Sequence, residues 1–82
     1  MTLKRILKSI MLAQEISQAK LAKRLGISTQ TMWARLDASS GKELATGKAV
    51  DTLAALDYKL VAMPTDARIP DGAYVVSRNA AE

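Results

Sequence analysis

At 82 residues the chain is long enough for one compact domain, and a domain this small buries only a modest core. It has no cysteine and no histidine, which excludes disulfides, thiolate metal sites and histidine-based catalysis or zinc binding. The net charge of +4 is unevenly spread. Residues 1–36 hold seven bases (Lys4, Arg5, Lys8, Lys20, Lys23, Arg24, Arg35) against the single acid Glu15, net +6, whereas residues 37–82 hold five bases against seven acids, net −2. A basic half joined to a mildly acidic half points to a polyanion-facing end and a second end with another task.

Leu3, Ile6, Leu7, Ile10 and Met11 recur at spacings of three and four, so residues 2–13 are expected to form a helix with one apolar face. Lys4, Arg5 and Lys8 are placed on its other side. The periodicity argues against a signal peptide, and no segment has the length of a membrane span, so a cytoplasmic protein with no membrane partner is expected. Ser17 is positioned to cap the next helix, with Ile16 and Leu21 at the staple positions around it. Leu21, Ala22 and Leu25 form its apolar stripe, and Gly26 stops it. After Ile27, Ser28 is a second cap, Met32 repeats the staple, and a third helix is expected over residues 29–36. Two capped helices joined by so short a turn must cross steeply, which is the geometry of the DNA-binding helix-turn-helix.

Ser39, Ser40 and Gly41 form a polar connection. Thr46 is expected to cap a fourth helix ending near Asp57, with Ala49, Val50, Leu53 and Leu56 facing the core and Leu44 beneath it. Residues 58–63 are rich in strand formers and end at Pro64. Pro70, Asp71 and Gly72 carry turn chemistry, and residues 73–77 are a second candidate strand. Residues 78–82 are expected to be a disordered tail.

Catalytic motifs carry little weight here. Ser17 and Lys20 match a Ser-x-x-Lys spacing, but the partner motifs are missing and Ser17 already has a capping role. Thr46-Gly47-Lys48 lacks the glycine-rich run of a phosphate-binding loop. No enzyme activity and no cofactor are expected.

Residues 16–36 read Ile-Ser-Gln-Ala-Lys-Leu-Ala-Lys-Arg-Leu-Gly-Ile-Ser-Thr-Gln-Thr-Met-Trp-Ala-Arg-Leu. This segment resembles the helix-turn-helix of the lambda-repressor-like, or Xre, family. The small Ala22 stands where the helices cross, Leu25 and Gly26 form the turn, and Ile27 and Met32 are the apolar residues that follow. One position departs from the pattern: Arg35 stands three after Met32, where an apolar residue is usual, and Leu36 follows at four. The resemblance spans residues 3–57 and implies a mainly α, four- to five-helix DNA-binding domain over residues 1–57.

In this register Thr29, Gln30 and Trp33 point outward, with Ser28 at the helix start. These four are the candidate base readers in the major groove. Gln30 leads, because its amide both donates to and accepts from adenine. Trp33 is either a groove residue, which its helical phase favours, or a core residue. Gln18 matches the family's backbone-phosphate position. Lys20, Lys23, Arg24 and Arg35 are candidate phosphate neutralisers, with plain solvation as the alternative for the first three and an ion pair to Asp37 or Glu43 for Arg35.

Leu56-Asp57-Tyr58-Lys59-Leu60-Val61-Ala62-Met63-Pro64 resembles the end of an Xre subset that includes HipB-type antitoxin regulators. There the last helix runs into a strand that pairs with its counterpart in a second subunit. Many relatives have glycine where Asp57 stands, and Asp tolerates the left-handed conformation better than most residues. The resemblance implies a β segment over residues 58–77, with Tyr58, Leu60, Val61 and Met63 at a homodimer contact; an intramolecular hairpin with residues 73–77 is the alternative. The expected function is a dimeric regulator, a repressor on a palindromic operator in double-stranded DNA. The alternative is an antitoxin whose partner is a toxin protein.

Overall fold

The computed structural model describes residues 2–37 and 44–76, so the polar connection at residues 39–41 and the tail at 78–82 lie outside the described residues. Four helices follow one another: α1 (Leu3–Gln14), α2 (Gln18–Leu25), α3 (Thr29–Leu36) and α4 (Thr46–Ala55). The first three begin on side-chain caps. Thr2 Oγ1 accepts the Arg5 N–H at 3.4 Å, Ser17 Oγ accepts the Lys20 N–H at 3.1 Å, and Ser28 Oγ accepts the Thr31 N–H at 3.1 Å. Each bond satisfies one of the N–H groups that a helix start leaves unpaired.

α4 begins differently. Thr46 is its first helical residue rather than its cap; Ala45 holds the cap position and offers no side-chain bond. The phase of α4 is set by burial. Ala49, Thr52, Leu53 and Leu56 are buried, while Val50, expected in the core, is exposed. Residues 49, 52, 53 and 56 share one face at helical spacing, and Val50 lies about 100° away from Ala49. Thr52 sits in the core without cost because its hydroxyl donates to the Lys48 carbonyl at 2.7 Å.

Three of the helices end alike. Glu15, Gly26 and Asp57 take left-handed backbone conformations with φ of 56°, 70° and 63°. At each corner two N–H groups fold back on the last turn. Ile16 donates to the Met11 carbonyl at 2.9 Å, Ile27 to Ala22 at 3.0 Å and Tyr58 to Leu53 at 2.8 Å. The left-handed residues themselves donate to Leu12, Lys23 and Ala54. This is the Schellman closure, and the residue after each corner packs onto the core, as its hydrophobic accompaniment requires. At Asp57 the left-handed conformation expected of a glycine substitute is present.

The core lies between the helices. Leu7, Ile10, Leu21, Met32, Leu36 and Leu56 are almost wholly buried, with Ile6, Met11, Ala22 and Leu53 around them. Leu3, Ile16, Leu25, Ile27, Leu44 and Tyr58 pack against this cluster from its rim. Side chains also close helix ends across the fold. Gln14 Nε2 donates to the Leu56 carbonyl at 2.9 Å and Arg24 donates to the Ala55 carbonyl at 3.1 Å, so the end of α4 is held from both α1 and α2. Lys4 was expected on the polar side of α1; instead it is buried, and its Nζ donates to the Asp37 carbonyl at 2.8 Å.

The segment expected to be β is irregular. No strand occurs among the described residues, and residues 58–76 form an arm with two turns. The Ala67 N–H donates to the Pro64 carbonyl and the Ala73 N–H to the Pro70 carbonyl. Gly72 has φ 85°, the sign that the third position of a type II turn demands. The arm folds back far enough to bring Tyr74 onto Tyr58, with ring centroids 6.3 Å apart and planes tilted by 49°.

Candidate nucleic-acid interface

α2 and α3 are joined by Gly26, Ile27 and Ser28 alone. Gly26 reverses the chain, Ile27 turns inward onto the core and Ser28 starts the next helix. A Cβ at Gly26 would meet no atom within 4 Å, so the need for glycine there comes from the backbone angle and not from crowding. Ala22 is buried with almost no exposed surface, as a small residue at a close helix crossing should be.

Met32 and Leu36 turn one face of α3 into the core. The opposite face is open: Thr29, Gln30, Thr31, Trp33 and Ala34 are all exposed. Trp33, left between core and groove by its sequence, stands 61% exposed. Ser28 has a structural task at the helix start. Its hydroxyl accepts the Thr31 N–H and donates to Thr31 Oγ1 at 2.8 Å, which ties the first turn of α3 together. Thr31 is therefore a member of this surface that sequence reasoning passed over; its signal was the i, i+3 spacing of two hydroxyl residues at a helix start.

The candidate phosphate contacts are spread over the same side of the sequence but differ in freedom. Lys20 and Lys23 are exposed on α2, and Gln18 is half-buried at its first position. Arg24 is exposed, with one guanidinium nitrogen committed to the end of α4. Arg35 is half-buried at the end of α3, and its Nε is shielded from water with no hydrogen-bond partner. The departure at Arg35 does not break the helix: Leu36, four after Met32, takes up the inward position. Neither α2 nor α3 carries an acid in its first turn, so the positive ends of both helix dipoles are left unneutralised, the condition in which helix starts attract phosphate.

Among the described residues no group of three or more acidic side chains is placed to hold a metal ion, and no helix is long and apolar enough to cross a membrane. Residues 58–76 contribute a different surface. Leu60, Val61, Met63, Ile69, Val75 and Val76 are exposed, while Tyr58 is half-buried against the core.

No curated protein and no solved structure matches the chain. Residues 2–38 match the model of a family described as winged helix-turn-helix DNA-binding. The match covers α1, α2 and α3 and ends before α4, so it falls on the elements that present the open face of α3. The chain thus carries a helix-turn-helix, built from α2 and α3 about the turn at Gly26, that is similar over residues 2–38 to this DNA-binding family.

Proposed function

We propose that this protein is a sequence-specific transcriptional regulator, a repressor that occupies a palindromic operator as a homodimer. The observation that carries the reading is the outward face of α3, where Thr29, Gln30 and Trp33 stand exposed on a helix whose other face is locked in the core. In the major groove, Gln30 makes paired hydrogen bonds to an adenine edge, Thr29 meets a thymine methyl or a phosphate, and Trp33 extends the contact. Ser28 sets the start of this face. Gln18, Lys20 and Lys23 take phosphates on one side, with the remaining donors of Arg24 and the guanidinium of Arg35 as further contacts. The resemblance to Xre regulators belongs to this proposal, and α4 following the matched segment supports it.

The arm supports the dimer. A chain of this size with Leu60, Val61 and Met63 in water leaves apolar surface that a second copy would cover. A closed twofold dimer places two recognition helices about one helical turn apart, roughly 10 base pairs centre to centre. Selection of bound DNA from a random pool tests the whole reading. The expected result is a palindrome with that half-site spacing; a pool with no enriched sequence would overturn it.

The same exposed arm favours a second reading, in which the chain is an antitoxin that covers a toxin with its apolar segment and represses its own operon. Co-purification from the native operon separates the two. A neighbouring gene product that is neither toxic nor bound eliminates the antitoxin reading.

A further inference from the structure

Three helices end in a left-handed corner, but the helix that faces outward does not. After α3, Asp37 is extended at φ −72°, ψ 99°, and its N–H reaches the Ala34 carbonyl only at 3.4 Å. The Schellman closure is replaced by Lys4. Its ammonium comes from the first turn of α1, 33 residues away in sequence, and donates to the Asp37 carbonyl at 2.8 Å. Lys4 is only 8% exposed. Burying an ammonium is unfavourable unless it is well bonded. The end of a helix offers it both carbonyl acceptors and the negative pole of the dipole.

We propose that Lys4 is a positioning residue for DNA reading: from α1 it fixes the far end of α3 and so sets the angle at which Thr29, Gln30 and Trp33 meet the bases. α3 has eight residues and is about 12 Å long, a rod too short to be stiffly held from one end. The Gly26 turn and the Ser28 cap hold the near end. Leu36 seats the far end in the core, but an apolar contact is non-directional. The Lys4 bond is directional, and base readout depends on hydrogen-bond angles that weaken steeply when a donor is misaimed. Lys4 is one of the seven bases of the first half, yet its charge is spent inside the protein and not on a phosphate.

The inference rests on α3 being the base-reading helix, so the wild-type chain is assayed first for sequence selection from a random pool. A wild type without selectivity refutes that reading, and the Lys4 proposal with it. Given a selective wild type, Lys4→Met removes the donor while keeping the length of the side chain. The expected result is a loss of about tenfold in affinity for the selected site, the scale of one misaligned base contact. Affinity for random-sequence DNA and the slope of log affinity against log salt stay as in the wild type. Selective affinity equal to wild type overturns the proposal. So does a salt slope lowered by about 0.9 with both affinities falling alike, since that is the signature of a lost phosphate contact. If Lys4→Met does not fold, Lys4→Arg carries the test. Its longer head keeps the charge but must displace the Asp37 carbonyl, so selectivity falls while the salt slope holds; unchanged selectivity overturns the proposal.

Discussion

The helical body and the C-terminal arm are built from similar residues used in opposite ways. In the body, leucine, isoleucine and methionine are withdrawn from water, and helix ends are closed by caps, corners and side chains from neighbouring helices. In the arm, leucine, valine and methionine lie open, and Tyr58 is the residue that packs against the core. The difference teaches that the described helices bury their apolar faces within the single chain, whereas the arm leaves apolar surface exposed. A helix satisfies its own backbone bonds; an extended segment needs a neighbour.

The contrast is sharpened by substitution. Leu21→Ala should have the largest effect, a loss of about 2–5 kcal/mol of folding stability, because Leu21 is wholly buried and its truncation leaves a cavity in the core. Urea unfolding measures it. Gln30→Ala should leave that unfolding curve in place and weaken binding to the selected DNA by about 1–3 kcal/mol, read by titration against matched and mismatched sites. A shift of stability in place of specificity would make Gln30 a structural residue. Gly26→Ala should cost about 1–2 kcal/mol of stability from the left-handed backbone alone, since the added methyl has open space around it. The smallest effect on the body should come from the arm. Val61→Lys is expected to change the unfolding free energy of dilute protein by no more than about 0.5 kcal/mol while weakening self-association in sedimentation. A destabilisation as large as that of Leu21→Ala would erase the distinction between the two regions.

Much of the body was legible because its signals are local. Ser17, Ser28 and Gly26 act within one turn of their own positions, and α2 and α3 lie where those residues place them. The apolar row of α1 was equally plain. What was not legible depends on distant neighbours. Thr46 has the chemistry of a cap, but it is the first helical residue of α4, and the cap falls one residue earlier, at Ala45. Val50, expected in the core, is exposed, and Thr52 is buried in the row that packs. Lys4 was read as surface charge, although it begins the row Lys4, Leu7, Met11 on the buried side of α1, and its ammonium bonds the distant Asp37 carbonyl. Arg24 likewise has one donor on α4 that its sequence neighbourhood does not announce. Residues 58–63 have strand composition without a strand, because composition supplies the side chains and not the neighbouring backbone.

The way α3 ends also bears on the order in which the molecule assembles. The corners at Glu15, Gly26 and Asp57 join residues five apart, so each forms by closing a very short loop. The bond from Lys4 to Asp37 spans 33 residues and must wait until α1 and α3 have met. The outward-facing helix is therefore expected to acquire its final tilt after these local corners have closed. In stopped-flow experiments Lys4→Met should speed unfolding while leaving the folding rate nearly unchanged, as expected for a contact formed after the rate-limiting step. On this view the open face of α3 is finished only after the local corners are already in place.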